Sequence, residues 1–402
     1  MATGSISAFR FHFGRVDMKM RYIETERYRL ERNAPCVRGA IDSAANTNLV
    51  YWAGHLLALK EIALPYAVDP DTLATLKYDP FGSQVCSRTF TAYPKIDPFT
   101  NELVVYGYEA TGLASLDVVT YTLDSNGTKV EEEWLKAPWS RWAPLGVELQ
   151  APRQPSSLCL GGKARSALLF GTQMKNVGFI NGKTACLFAQ PEPGRRRRTV
   201  ALKFGLKVPA SLGMPFHFFP PDDGRTPATD AKCDFVRWEL DLNAPSRSSV
   251  PDPRVILDLP CKFPRIDERS LTKQYNIVFL DNLNGLAMHD HRSGETRIFC
   301  PGDNCAAQEP VFIPRSEDAP EGDGWVLAMV EQKAANRCDV VVLDTAQFEK
   351  PIAVVQLPFH VKAQVHGNWV DSTRRKGTQE QGLVHEPDEK PISGRGALAP
   401  VI

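Results

Sequence analysis

Residues 118–134 read VVTYTLDSNGTKVEEEW, in which a run of β-branched and aromatic residues leads into a cluster of turn formers and then into a second run. Asp124, Asn126 and Gly127 favour a tight reversal, and a glycine readily adopts the positive φ angle that such a turn requires. The pattern therefore predicts a β-hairpin whose strands are residues 118–123 and 129–134.

The same pattern recurs in both directions along the chain. Prolines (31) and glycines (28) interrupt any long helical period, which favours short strands joined by turns. Residues 8–13 and 16–22 predict a hairpin around Gly14 and Arg15. Further strands are predicted at residues 103–108, 117–122, 325–330, 339–344 and 353–357. We therefore predict an all-β protein.

Many short and evenly spaced strands are typical of a sandwich, a barrel or a propeller. At 402 residues, a sandwich would have to be duplicated, whereas a propeller of four-stranded blades reaches this length as one closed unit. We favour the propeller, and its blades must be divergent because no internal repeat is visible in the sequence.

The charge and hydropathy of the chain exclude several classes of protein. Lysine and arginine number 47, as do aspartate and glutamate, so the field that would attract a polyanion is missing and no nucleic-acid partner is expected. No apolar run is long enough to span a bilayer and no basic-then-apolar leader follows Met1. The nine cysteines form no dense framework, which favours free thiols. These features predict a cytoplasmic protein.

Residues 140–214 differ in composition from the rest of the chain. They contain no aspartate, only Glu148 and Glu192 as acidic residues, and four consecutive arginines at 195–198. One interpretation is a basic patch for anionic lipid or nucleic acid; the interpretation that we favour is an insertion, a loop or a wrongly translated stretch. Residues 372–402 predict a flexible tail, so that residues 1–371 form a single domain.

Local motifs identify no chemistry. The eight histidines form no H-E-x-x-H metal motif, and the sequence has no G-x-S-x-G elbow, no Walker A loop and no G-x-G-x-x-G fingerprint. Composition and short motifs alone therefore leave the role of this all-β chain open.

Longer phrases carry more information. Three of them are FTAYPKIDP at residues 90–98, QEPVFIPR at 308–315 and VHGNWVD at 365–371. Supporting phrases occur in the same order as in the family that they resemble, at residues 17–28, 64–73, 218–223 and 263–267. Together they make the chain similar to the carotenoid cleavage oxygenase family, and within it to the fungal branch that cleaves stilbenes and related phenylpropenes.

The resemblance implies a seven-bladed β-propeller with a non-haem Fe(II) ion on its axis, held by four histidines from different blades. Neutral imidazoles suit ferrous iron, and carboxylates behind them fix the orientation of the rings. The implied reaction uses O₂ to split a carbon–carbon double bond of an apolar or phenolic alkene into two carbonyl products. The oligomeric state stays open.

Two residues match this implied site directly. His366 matches the last iron-binding histidine, and Glu309, in the QEP phrase, matches a glutamate that supports a ligand. The alternative for His366 is a buried histidine whose nitrogens are satisfied by hydrogen bonds. The alternative for Glu309 is a buried carboxylate paired with an arginine.

The other three histidine positions depart from the family. Tyr93 stands where the family phrase has a histidine, which we interpret as a lost ligand, since a tyrosinate would favour ferric iron. The second histidine should follow residues 136–139, where Ser140 and Arg141 stand instead. The third should precede residues 218–223, and His217, the one histidine nearby, is a weak candidate because the family has an ordinary strand residue there.

Two hypotheses follow for function. The first is a ferrous dioxygenase that cleaves a stilbene or carotenoid-like substrate; the second is an inactive propeller scaffold, or a defective splice or gene-model product, without the iron site. Because the resemblance begins inside the family pattern, at Gly4, we also expect a propeller that is incomplete at the N-terminus and disrupted around residues 140–214.

Two further sets of residues stay unassigned. His289 and His291 have the alternate spacing of a strand face and could form a two-ligand seed, but we interpret them as structural or surface histidines at a hairpin turn. Stilbene-cleaving members place a tyrosine and a lysine around a phenolic hydroxyl, and the phrases do not align Tyr51, Lys60 or Lys95 with those roles.

Overall fold

The structure is a computed structural model of the chain. It describes residues 4–33, 44–61, 63–112, 115–136, 254–259, 261–271, 274–282, 285–361 and 366–371. It also describes the backbone of the strands between residues 157 and 240, with the side chain of Phe235. His217, residues 137–139 and the tail at 372–402 lie outside the described residues.

Antiparallel sheets build the described chain, and the α-helix that it contains is α1, at Glu26–Asn33. The first half holds a hairpin and two four-stranded sheets, in which each strand pairs with the next along the chain. The strands are β1 (Ser5–His12) and β2 (Arg15–Tyr22); then β3 (Asn48–Trp52), β4 (His55–Leu59), β5 (Tyr66–Val68) and β6 (Thr75–Tyr78); then β7 (Lys95–Asp97), β8 (Glu102–Tyr108), β9 (Asp117–Leu123) and β10 (Lys129–Lys136).

The second half continues in the same way. Its strands are β11 (Ser157–Leu158) and β12 (Leu168–Leu169); β13 (Phe188–Pro191), β14 (Arg197–Leu206), β15 (Ala231–Leu240) and β16 (Arg254–Leu257); β17 (Lys262–Ile266), β18 (Ile277–Asn282), β19 (Gly285–Asp290) and β20 (Thr296–Phe299); and β21 (Cys305–Ala307), β22 (Val311–Pro314), β23 (Gly324–Gln332), β24 (Arg337–Asp344) and β25 (Pro351–Gln356). Short 3₁₀ helices occur at Glu268–Ser270 and Thr345–Gln347. Sheets of four sequential strands give the fold its propeller-like arrangement, and the last sheet has five strands.

The hairpins predicted from local sequence are present. In the β9–β10 hairpin, Gly127 adopts φ +83° and the carboxylate of Asp124 accepts the N–H groups of Asn126 and Thr128. The β1–β2 turn lies one residue earlier than predicted, at Phe13 and Gly14, both of which have positive φ. That conformation at both central residues matches the right-handed twist of the paired strands.

The core lies between neighbouring sheets, where their apolar faces meet. Trp52 and Leu57 of the first sheet pack against Leu103, Val119 and Tyr121 of the second. The sheet β17–β20 packs in the same way against the last sheet, through a second cluster of buried aliphatic and aromatic side chains. Side chains of alternate strand positions fill these layers, as the strand period requires.

Among the described helices, none has the length and apolar character needed to cross a membrane. Among the cysteines that the structure describes, Cys86, Cys300, Cys305 and Cys338 are thiols outside any disulfide.

A buried tyrosine–glutamate–histidine cluster as candidate functional site

The candidate site forms where the first strands of several sheets converge. Tyr93 lies two residues before β7, Arg265 lies on β17, and Glu309 lies two residues after β21. His366 reaches the same point from the segment beyond β25. First strands of blades surround the axis of a propeller, so residues far apart in sequence meet there.

Three side chains make mutual contact at this point. The hydroxyl of Tyr93 donates a short hydrogen bond to Oε1 of Glu309, and it lies 2.6 Å from Nδ1 of His366. Nδ1 of His366 lies 3.2 Å from the same Oε1. The side chains of His366 and Glu309 are only 6% and 3% exposed, so this cluster has little access to bulk water.

Arg265 supplies a positive charge beside the carboxylate of Glu309. Its Nη1 lies 3.3 Å from Oε2 of Glu309, and its side chain is 6% exposed. Oε2 also accepts the backbone N–H of Gly367 at 3.0 Å. Burial alone would raise the pKa of Glu309, but the guanidinium of Arg265 and the hydrogen bonds from His366 and Tyr93 outweigh it and lower that pKa to about 2.

The same arginine fixes the segment that carries His366. Arg265 donates to the backbone oxygen of Gly367 at 3.0 Å and to the amide oxygen of Asn368 at 2.9 Å. The amide nitrogen of Asn368 in turn donates to Asn48, at the start of β3, at 3.0 Å. Elements from both ends of the chain thus hold one imidazole in place.

Aromatic rings enclose that imidazole. The ring of Tyr93 meets it edge-on with the centroids 4.3 Å apart, and the ring of Phe263 does so at 5.1 Å. Such T-shaped contacts restrict rotation of the imidazole.

A narrow cleft of about 90 Å³ opens beside Tyr93. Tyr51, Lys95 and Trp369 line it, and the ammonium group of Lys95 lies 4.8 Å from the centre of the Tyr93 ring. Lys60 points elsewhere, since its ammonium group bonds to Asn46 at 3.3 Å.

The remaining histidine candidates behave differently from His366. The rings of His289 and His291 lie 4.9 Å apart, and the ring of His291 packs against those of Phe235 and Tyr275. His289 is buried, and its Nδ1 is 2.9 Å from the hydroxyl of Thr296. Both rings therefore belong to one aromatic cluster.

Sequence patterns missed the role of Arg265. It lies inside the phrase at residues 263–267, which carried the family resemblance without assigning a role to its arginine. A buried carboxylate needs a partner of opposite charge. The arginine in this phrase could therefore have been predicted as the partner of Glu309.

An iron ion held as the resemblance implies needs several histidine ligands, which the described residues would have to supply. His366 is the one histidine that they bring to the cluster, Arg265, Gly367 and Tyr93 engage both oxygens of Glu309, and the hydroxyl of Tyr93 already contacts two partners. No group of three or more His, Cys, Asp or Glu side chains in the described part of the chain is placed to hold a metal ion. These residues therefore do not by themselves fit an iron centre.

Comparisons with known proteins identify the family. The family model described as retinal pigment epithelial membrane protein, RPE65, matches residues 2–145 and 208–371. Resveratrol cleavage oxygenase 1 of Botryotinia fuckeliana is 50% identical over 99% of this chain and 81% of its own length. Carotenoid cleavage oxygenase 1 of Neurospora crassa is 29% identical over 92% of this chain and 78% of its own length.

A solved structure shows the same fold. The crystal structure of Pseudomonas brassicacearum lignostilbene dioxygenase superposes with a TM-score of 0.76 at 31% identity, covering 91% of this chain and 86% of that one. Because the family model matches most of the sequence and a relative is 50% identical over nearly the whole chain, the chain belongs to the carotenoid oxygenase family.

Proposed function

We propose that this protein is an oxygenase that uses O₂ to cleave the double bond of a phenolic, stilbene-type alkene into two carbonyl products. The observation that carries the proposal is the 50% identity to a resveratrol cleavage oxygenase over nearly the whole chain. The lignostilbene dioxygenase fold at 31% identity supports the same substrate class. We further propose seven blades, Fe²⁺ as the cofactor and a cytoplasmic location.

The geometry supports part of this proposal. His366 is buried and oriented by Glu309 and Tyr93, as a residue at a reaction centre must be. The cleft beside Tyr93 presents aromatic and cationic side chains, which suits a planar phenolic molecule.

The test is to load purified full-length protein with Fe²⁺ under anaerobic conditions, measure iron per chain, and then add resveratrol and air. We expect the two aromatic aldehydes that cleavage of its central double bond must yield. His366→Ala should abolish both iron uptake and aldehyde formation. His12→Ala is the matched control, because His12 is a surface histidine paired with Asp17, and it should change neither.

A second candidate function is a propeller scaffold without catalysis, and the replacement of a family histidine by Tyr93 favours it specifically. The same experiment separates the two. Stoichiometric iron that depends on His366, together with aldehydes, supports the oxygenase. Absence of both from folded protein supports the scaffold.

A further inference from the structure

The cleft beside Tyr93 contains a reactive nitrogen that the proposed function does not use. Among the described residues that line the cleft, Lys95 is the one lysine, and it is half-buried. The other lining cation, Arg265, is bound to the carboxylates of Glu309 and Glu268, and a guanidinium keeps its proton at any ordinary pH. The amine of Lys95 is therefore the group in this cleft that can attack a carbonyl carbon.

The size and the walls of the cleft fit a molecule with one aromatic ring. Its volume of about 90 Å³ is below the roughly 150 Å³ of an enclosed cavity that binds benzene, so the cleft can cover one ring of a ligand and leaves a second ring outside. Tyr51 and Trp369 supply aromatic walls, and Ile96 adds an aliphatic one. Such walls favour a planar aromatic group beside the amine.

The position of the amine also suits a cationic adduct. Nζ of Lys95 lies 4.8 Å from the centre of the Tyr93 ring, a contact that stabilises a positive charge over the ring. An ammonium ion and an aldehyde condense as R–NH₃⁺ + O=CH–Ar → R–NH⁺=CH–Ar + H₂O. A C=N bond replaces the C=O bond, the oxygen leaves as water, and nothing is oxidised or reduced. Because the charge stays on the nitrogen, the contact with Tyr93 is kept.

We propose that Lys95 captures single-ring aromatic aldehydes as a reversible protonated imine. The ligand class rests on the proposed function, since cleavage of a stilbene-type double bond yields aldehydes of this kind. The cleft holds the aldehyde against the amine, which raises the rate and extent of condensation above those at a surface lysine. Glu268 lines the same cleft, and its side chain is 57% exposed, so its carboxylate can accept a phenolic O–H. Lys95 makes the cleft a site of product retention.

The test adds 4-hydroxybenzaldehyde to the full-length protein without iron, at a pH of about 8, and reduces any imine with sodium cyanoborohydride to a stable secondary amine. Peptide mass spectrometry then measures the added mass on each lysine. At limiting aldehyde, we expect Lys95 to carry on the order of tenfold more label than Lys136, whose side chain is 80% exposed. Propanal, an aldehyde without a ring, should show no preference for Lys95.

Variants separate capture in the cleft from the general reactivity of lysines. Lys95→Arg should remove the selective label, and Lys136→Arg, the matched control, should leave the label on Lys95 unchanged. Trp369→Ala keeps the amine and removes one aromatic wall, so it should lower the label on Lys95 towards that on Lys136. The comparison of Lys95 with Lys136 within the wild-type protein applies even if a variant fails to fold.

Equal labelling of Lys95 and Lys136 by the aromatic aldehyde would overturn the inference, as would a preference for Lys95 that Trp369→Ala leaves intact. The assay needs neither iron nor turnover. A protein that does not cleave resveratrol can still show capture at Lys95, and one that cleaves it can lack capture, so the two proposals fail independently.

Discussion

At the scale of single residues, the site depends on how a buried negative charge is held. Moving one carboxylate out of water costs several kcal/mol unless partners replace the lost hydration. Glu309 receives those partners from Arg265, Gly367, Tyr93 and His366. Arg265 is equally buried and also needs its carboxylate partner. Each of these two buried charges is therefore stabilised by the other.

Glu309→Gln is expected to lower the free energy of unfolding at pH 7 by about 3 kcal/mol, because it removes the buried counter-charge that faces the guanidinium of Arg265. Urea denaturation measures the change. Glu268→Gln is the control: Glu268 also pairs with Arg265, but its side chain is 57% exposed, so its loss should cost well under 1 kcal/mol. If both variants lose the same free energy of unfolding, burial does not determine how much an ion pair with Arg265 contributes to stability.

The same carboxylate predicts a pH dependence. The pKa of Glu309 falls from 4.5 to about 2 on folding, so the folded protein keeps the charged form where the unfolded chain would take up a proton. The stabilisation is therefore complete above about pH 4.5 and is lost as the pH falls toward 2. Urea denaturation between pH 7 and pH 3 should show the wild-type protein losing this contribution, while Glu309→Gln lacks it throughout. The gap between the two proteins should narrow below pH 4.5; a constant gap would refute the assignment.

At the scale of elements, the residues of the β9–β10 turn determine the hairpin and also contact the sheet that contains β3. The indole N–H of Trp52, on β3, donates to the backbone oxygen of Asp124 at 2.8 Å. Gly127, at φ +83°, lies under the side chains of Ala53 and Phe81. The turn therefore serves two purposes, since it reverses the chain and packs against a neighbouring sheet.

A pair of glycine substitutions separates these two purposes. Gly127 and Gly294 have similar φ angles of +83° and +76°, but a Cβ atom on Gly127 would lie 3.1 Å from the Cβ of Ala53, whereas one on Gly294 meets nothing within 4 Å. Gly294→Ala should cost about 1 kcal/mol, from backbone strain alone. Gly127→Ala should cost more, by about a further 1 kcal/mol of crowding. Equal losses of unfolding free energy in urea would mean that the packing contact contributes nothing.

The sequence predicts elements of this kind better than it predicts the site. Strand alternation and turn residues are local signals, and they located the hairpins at β1–β2 and β9–β10 to within a residue. The cluster at Tyr93 joins residues that are 216 and 273 positions apart, which no local period encodes. Family phrases predict Glu309 and His366 as site residues, and they predict Tyr93 only as the position of a lost ligand. The hydrogen bonds of Tyr93 form only because the fold brings its segment together with those of Glu309 and His366.

At the scale of the whole molecule, the N-terminal hairpin lies between the first and the last sheets. On one face, Phe9, Phe11 and Met18 pack against a cluster on β23, β24 and the segment after β25. On the other face, Arg10 and Lys19 bond to Asp71 in the turn between β5 and β6, Arg10 through the carboxylate at 2.8 Å. The hairpin therefore connects sheets from opposite ends of the chain. The expected incompleteness of the propeller stays a prediction.

The Botryotinia relative is longer than this chain within the aligned region. The alignment extends over 460 positions, whereas this chain has 402 residues, so the relative has residues at no fewer than 58 positions where this chain has none. The family model also leaves residues 146–207 unmatched, within the stretch whose composition differs. The residues of the cluster around His366 all lie in matched sequence.

The connecting role of the hairpin predicts unequal effects for two phenylalanines that are two residues apart. Phe11 is half-buried in the contact with the last sheet, and its ring centroid lies 6.2 Å from that of Trp369, whereas Phe13 at the turn is fully exposed. Phe11→Ala should therefore lower the free energy of unfolding by about 1–2 kcal/mol, while Phe13→Ala should leave it unchanged within about 0.5 kcal/mol. Urea denaturation compares the two, and hydrogen exchange locates the effect. Because the hairpin contacts both sheets, Phe11→Ala should speed amide exchange in β5 and β6 as well as in β24 and β25. Faster exchange confined to the hairpin itself would show that it packs on the two sheets without coupling their stability.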